Sequence, residues 1–122
     1  MSEVMDLLLK MEPTKPQTKK LKVKRLSREC GGDVTFTITG LGYEQVLQIK
    51  NEPADLGVSI LLEGVVEPEL RNRELMEKYK AATPTELVEK LLLPGEIEDI
   101  AREIEKLSGY RRDVLEEFEK NS

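Results

Sequence analysis

The sequence predicts an α+β fold: an N-terminal antiparallel β-hairpin packed with a mostly α-helical remainder of about five to six short helices. Three observations predict it. Val34-Thr35-Phe36-Thr37-Ile38-Thr39 alternates strictly between apolar and polar positions and is β-branched or aromatic throughout. Beyond Gly42 the apolar residues take up helical spacing and keep it almost to the end. Prolines and glycines punctuate that stretch at short intervals, which keeps the helices short.

At the N-terminus, Val4, Leu7, Leu8 and Met11 fall at i, i+3, i+4 and i+7, with Ser2 available as N-cap. This predicts a short amphipathic helix. Glu12 to Lys20 follows with two prolines, several charges and no large apolar residue, and reads as a flexible linker that detaches the helix from the body. Residues 1–19 are therefore a helix and a Pro/Lys-rich linker, and residues 20–122 a single α+β domain. Leu21 and Val23 alternate with Lys22 and Lys24 as a first strand, which Arg25-Leu26 bends by reversing the phase. Cys30-Gly31-Gly32-Asp33 supplies the turn into Val34–Thr39, where Val34, Phe36 and Ile38 face inward.

After Gly40-Leu41-Gly42, a helix over Tyr43–Lys50 would bury Tyr43, Val46 and Leu47. Residues 54–66 fit a helical stripe (Val58, Leu61, Leu62, Val65, Val66) and also a strand (Leu56, Val58, Ile60, Leu62). Length, and Pro53 as a first helical residue, favour helix. Asn72–Lys80 forms a polar helix with Leu75, Met76 and Tyr79 inward. Thr83-Pro84-Thr85-Glu86 is a capping box with Pro at the first helical position, and Leu87, Val88, Leu91 and Leu92 follow as its stripe. Pro94 interrupts, and a helix restarts over Glu96–Leu107 with Ile97, Ile100, Ala101, Ile104 and Leu107 inward, stopped by Ser108-Gly109. A last amphipathic helix, Tyr110–Lys120, presents Val114, Leu115 and Phe118.

Composition narrows the function. The 122 residues include no histidine and one cysteine, Cys30. The commonest general base and metal ligand is missing, and no intrachain disulfide or thiolate zinc site can form. One thiol and no signal peptide suggest a cytoplasmic protein, and the longest apolar runs (Leu7–Leu9, Leu91–Leu93) are far too short for a membrane span. Acidic clusters such as Glu96/Glu98/Asp99 and Glu116/Glu117/Glu119 sit beside Lys and Arg on polar helix faces, as solvated surface does. Neither Gly31-Gly32-Asp33 nor Gly40-Leu41-Gly42 completes a phosphate-binding loop. No catalytic, cofactor or metal residue is therefore assigned, and the reading is non-enzymatic.

Charge is uneven. Residues 1–30 hold eight Lys/Arg against four Asp/Glu, net +4; the remainder holds eleven against twenty, net −9. The basic segment 15–28 keeps open a small nucleic-acid-associated regulatory protein. It lacks interleaved aromatics and a recognition helix, and it leads into an acidic body, so nucleic acid is disfavoured.

Taken in order, several stretches resemble the XkdN-like family of phage tail assembly chaperones, known from PBSX-type prophages. They are Lys22-Val23-Lys24-Arg25-Leu26-Ser27, Asp33–Ile38, Glu63-Gly64-Val65-Val66-Glu67-Pro68-Glu69-Leu70, Ala82–Val88, Lys90-Leu91-Leu92-Leu93-Pro94-Gly95-Glu96-Ile97 and Leu107-Ser108-Gly109-Tyr110. The first twenty residues carry none of the resemblance. The resemblance implies a chaperone that binds the tape measure protein and keeps it soluble during tail morphogenesis. It implies action in the bacterial host cytoplasm and absence from the mature virion, no catalytic residues and no cofactor. The major tail tube protein is a second candidate partner, a homo-oligomer stays open, and a structural tail component is the alternative within the same setting. The amphipathic ends are then the expected partner-binding residues: Leu7, Leu8 and Met11 first, Val114, Leu115 and Phe118 second.

Overall fold

Strand β1 (Thr18–Lys22) pairs antiparallel with β2 (Thr35–Thr39), Thr18 opposite Thr39 and Lys22 opposite Thr35. The computed structural model that shows this describes residues 2–51, 55–110 and 113–118. The expected strand pair is present, but its connection is not a tight turn. The first strand starts and ends earlier than the alternation suggested, and Lys24–Cys30 between the strands forms a helix, α2. The phase reversal at Arg25-Leu26 is that helix beginning: Leu26 falls three residues after Val23, and both are buried. Gly31 ends α2 at φ 72°, a left-handed position that glycine takes without strain. The Ser27 hydroxyl donates to the Val23 carbonyl (2.9 Å) and accepts from the Val34 amide (2.9 Å), which ties the helix to the start of β2.

In β2 the alternation holds, with Phe36 and Ile38 buried and the threonines partly or fully open. On its other side β2 pairs antiparallel with β3 (Val65–Glu67), giving the order β1-β2-β3, with Ile38 opposite Val65 and Thr37 opposite Glu67. Residues 54–66 thus divide. Helix α4 (Leu56–Gly64) takes most of them, starting with the Asp55 carboxylate accepting from the Val58 amide at 3.1 Å, and the end becomes the third strand. Pro53 lies outside the described residues. Val58, Ser59, Ile60, Leu61 and Gly64 of α4 are all buried, so the helix is apolar nearly all round. That is why both the helical and the strand pattern fitted it.

Helix α3 (Tyr43–Asn51) exists as expected, but its inward face differs: Ile49 is buried and Val46 half-buried, while Tyr43 is 79% exposed and Leu47 is open. Helix α5 (Arg73–Lys78) is capped by Asn72, whose side chain accepts from the Leu75 amide at 2.9 Å. Leu75 and Met76 are half-buried, and Tyr79 lies outside the helix and open.

Helix α6 (Pro84–Leu91) starts as the Thr-Pro sequence dictates. The Thr83 hydroxyl accepts from the Glu86 amide at 3.1 Å. The Glu86 carboxylate reaches one residue further back than a capping box requires, to the Ala82 amide at 2.6 Å. Pro94 does not interrupt; it is the first residue of α7 (Pro94–Leu107), where a missing N–H costs nothing. Leu93 offers no side-chain cap, and Glu96 reaches back to its amide at 2.8 Å. Ile100, Ala101 and Ile104 are buried, with Ile97 and Leu107 packed against the core, as the spacing predicts.

The core lies where α4 packs against α6 and α7, and α7 against β2. Gly64 permits a close approach between α4 and α7. A Cβ there would fall 2.7 Å from both Cδ1 and Cγ2 of the fully buried Ile104. Helix α1 (Glu3–Lys10) forms with Ser2 as cap, its hydroxyl accepting from the Met5 amide at 3.0 Å, and buries nothing. The expected last helix does not form over residues 113–118, and the rest of that segment is outside the described residues. A helix this short needs a docking partner to persist in water, and Val114, Leu115 and Phe118 have none in the fold: they are 65%, 86% and 88% exposed.

Candidate partner-binding surfaces

The charged residues are arranged as structural pairs. Arg25 of α2 donates from Nε (3.0 Å) and Nη2 (2.9 Å) to the two oxygens of Glu96, from Nη1 to Glu29 (2.8 Å), and from Nη2 to the Leu91 carbonyl (2.9 Å). The two hydrogen bonds from Arg25 are the largest cause holding the Glu96 carboxyl below its ordinary range, helped by the Leu93 amide. Glu103 is lowered likewise, first by its hydrogen bond from Lys19 and then by that from Lys106. Both shifts favour the ionised form, the reverse of what tunes a carboxylate as a general acid. Among the described residues no group of three or more acidic or cysteine side chains converges to hold a metal ion.

Three of the seven cations in the basic segment 15–28 pair with this chain's own acids. Lys19 pairs with Glu103 at 3.0 Å, Lys22 with Asp33 at 3.0 Å, and Arg25 with Glu96 and Glu29. These pairs fasten β1 and α2 to α7 and to the loop before β2, and they reduce the positive field available to a phosphate backbone.

Apolar surface is concentrated elsewhere. On α1, Val4, Leu7 and Leu8 are all more than half exposed, as is Met11 just past its end, and Met5 and Leu9 are open too. The spacing that predicted a partner-binding stripe therefore leaves Leu7 and Leu8 displayed on a formed helix, with Met11 exposed in extended backbone just past its end. The second set is displayed differently: Val114, Leu115 and Phe118 are equally open, but on non-helical backbone with no common helical face.

The fold adds a feature that spacing did not reveal. The α1 linker and the chain after α7 leave the body at the same end. Thr14 to Gln17 run beside Gly40–Gly42 and Leu107–Gly109, and the Gln17 carbonyl accepts from the Gly40 amide at 3.0 Å. Gly40 is required there, since a Cβ would lie 2.5 Å from the Leu107 carbonyl oxygen. The Ser108 hydroxyl locks the corner, donating to the Ile104 carbonyl (2.8 Å) and accepting from the Leu41 amide (2.8 Å). Next to this corner, Leu41, Val46, Ile49, Leu56 and Ile60 line an apolar notch of about 160 Å³, bordered by Tyr110. That is close to the size of an engineered apolar cavity of about 150 Å³ that admits one benzene. Leu56 and Ile60, four residues apart on α4, were the available signal. Spacing alone does not reveal the notch, because its other walls come from α3, the β2–α3 connection and the end of α7, with Glu105 and Ser108, which only folding brings near.

Comparison with known proteins places this architecture. The crystal structure of the protein yqbn is similar, with a TM-score of 0.67, 20% identity, and coverage of 81% of this chain and 90% of that one; it shows the fold alone. Among curated proteins none matches significantly. The family model described as phage XkdN-like tail assembly chaperone protein matches residues 53–121, which is more than half of the chain. That span takes in α4, β3 and α5 to α7, and it leaves α1, its linker, the β1–α2–β2 unit and α3 outside. The chain belongs to the family of phage XkdN-like tail assembly chaperones.

Proposed function

We propose that this chain binds the tape measure protein and keeps it soluble while the phage tail is assembled, in the cytoplasm of the bacterial host, and that it is left out of the finished particle. It holds its partner and transforms no bond. The observation that carries the reading is the apolar stripe of α1, formed and unburied on a member of an assembly-chaperone family. A long helical client exposes apolar stripes that aggregate, and an amphipathic helix on a tether can cover such a stripe. The formal net charge of −5 keeps the covered complex soluble. Modest affinity per contact, multiplied over many copies along the client, allows displacement when the tail tube polymerises.

The test is co-expression with the tape measure protein. Deletion of residues 1–12 lowers the soluble client recovered with this chain, and far-UV circular dichroism of the body stays folded. Equal recovery with and without those residues removes α1 from the contact and refutes the reading. Mass spectrometry of purified particles separates the chaperone from a structural tail component, which would be retained.

A further inference from the structure

We propose that this chain associates head to tail with copies of itself, the basic face of α2 on one copy seating in an acid-rimmed apolar cleft of the next. The cleft, about 550 Å³, lies where α4, α6 and α7 meet. Val58, Leu92 and Ile97 form its floor, and Asp55, Glu89 and Glu98 stand around it. Among the described residues no lysine or arginine lines it. The neighbouring cations of α6 and α7 have partners of their own. Lys90 donates to the Lys80 carbonyl at 2.7 Å and lies 3.9 Å from Glu86. Arg102 sits 3.3 Å from Asp99 and 3.7 Å from Glu98, an exposed arrangement that offsets the Glu98 charge only in part. An apolar floor under a rim of one sign fits aliphatic stems tipped with cations, since lysine and arginine lay their methylenes on apolar surface and keep the charged head at its edge.

Helix α2 carries that chemistry. Lys24 and Arg28 are four residues apart on its exposed side, with Lys22 beside them. The acids around them are already engaged. Asp33 pairs with Lys22 at 3.0 Å and Glu29 with Arg25 at 2.8 Å. Across the groove to α7, Glu96 is held by Arg25, Glu103 by Lys19 and Lys106, and Asp99 by Arg102. Among the described residues no acid comes within ion-pair distance of Lys24 or Arg28. A copy cannot make this contact with itself. Leu26 and Ser27 are buried, and Arg25 fastens α2 to Glu96 and to the Leu91 carbonyl, so the helix is fixed where it is. The surface that displays Lys24 and Arg28 shares no residue with the cleft. Two different patches make a heterologous contact, which repeats from copy to copy. It uses none of α1, and so leaves that helix free for the client.

Sedimentation velocity of the full chain at high concentration tests this. Oligomers beyond a dimer are expected in about 20 mM salt, and monomer in about 500 mM salt, where exposed charges are screened. Glu89→Lys with Glu98→Lys reverses the cleft, and Lys24→Glu with Arg28→Glu reverses the face. Each variant alone should associate at least roughly tenfold more weakly. An equal mixture of the two should regain association, because every basic surface again meets an acidic one. Both variants keep a negative net charge, so general attraction does not produce that recovery. All four positions are exposed, so far-UV circular dichroism stays native, and the salt dependence of the unaltered chain needs no variant. A chain that stays monomeric in low salt, association indifferent to the reversals, or a mixture that fails to recover overturns the proposal. A monomeric chain whose cleft variant loses the tape measure protein gives the cleft to the client instead and overturns it too. The sedimentation measurements use the isolated chain, so they succeed or fail independently of client binding.

Discussion

The contact between Gly64 and Ile104 yields the sharpest prediction, because the two residues should couple strongly enough to reverse a sign. A methyl group at position 64 would meet Cδ1 and Cγ2 of Ile104 at 2.7 Å and Cγ1 at 3.0 Å. Ile104 is fully buried between α4, α7 and the sheet, so it has little freedom to retreat. Gly64→Ala therefore overpacks the core and should cost about 1–3 kcal/mol. Ile104→Ala removes all three offending carbons. At about 0.8 kcal/mol per buried group this forfeits roughly 2.4 kcal/mol of transfer energy, and the cavity brings the total into the range of about 2–5 kcal/mol.

In the double variant the new methyl enters the vacated space instead of colliding. Its burial then contributes about 0.8 kcal/mol. Replacing a helical glycine by alanine adds about 0.5–1 kcal/mol. Gly64→Ala should thus destabilise the native sequence and stabilise the Ile104→Ala variant, a coupling of at least about 2 kcal/mol, within the range measured for residues in contact. Urea unfolding followed by far-UV circular dichroism measures it, since about 2 kcal/mol shifts the midpoint by roughly 1 M for a domain of this size. If Gly64→Ala costs the same in both backgrounds, the α4–α7 contact is not what requires a glycine there.

Two serines should respond with opposite signs. The Ser59 hydroxyl is buried and has no hydrogen-bond partner among the described residues, so Ser59→Ala should raise stability by about 1 kcal/mol. Ser108→Ala deprives the Leu41 amide of its acceptor and should cost about 1–3 kcal/mol, read in the same unfolding assay. Acid should act through Glu96 and Glu103. Both carboxyls are lowered in the fold from an ordinary value of 4.5, so their contribution to stability is fully present above that value and is lost as pH falls through the lowered one. Glu103→Gln should therefore lose less stability on acidification than the native chain; parallel pH profiles would disprove the role of the Lys19 and Lys106 contacts.

Several elements were legible because one local rule decides each of them. The alternation at Val34–Thr39 fixes which side of β2 is buried whatever lies beyond it. Thr83-Pro84 starts a helix because a proline's missing N–H is harmless only in the first turn. Others were illegible because no local rule decides them. The seven residues of α2 read as strand and turn, and what makes them helical is the burial of Leu26 and Ser27 against β2. Val65–Glu67 is a strand because β2 has an open edge where α4 delivers the chain. On α3 the inward face is Ile49 rather than Tyr43, since the position of α4 selects which side of a weakly amphipathic helix is covered.

The binding surfaces divide in the same way. The sequence by itself determined that α1 would be an amphipathic helix on a linker, and that this chain would have no histidine and one thiol for chemistry. Those properties depend on residue type and spacing, which no packing can change. Only the tertiary structure decided that α1 finds no seat on its own body, that residues 113–118 stay unwound, and that the linker passes an apolar notch built from three separate parts of the chain. A docking site is a property of surfaces brought together, and residues such as Leu41, Ile49 and Leu56 become neighbours only once the core has formed.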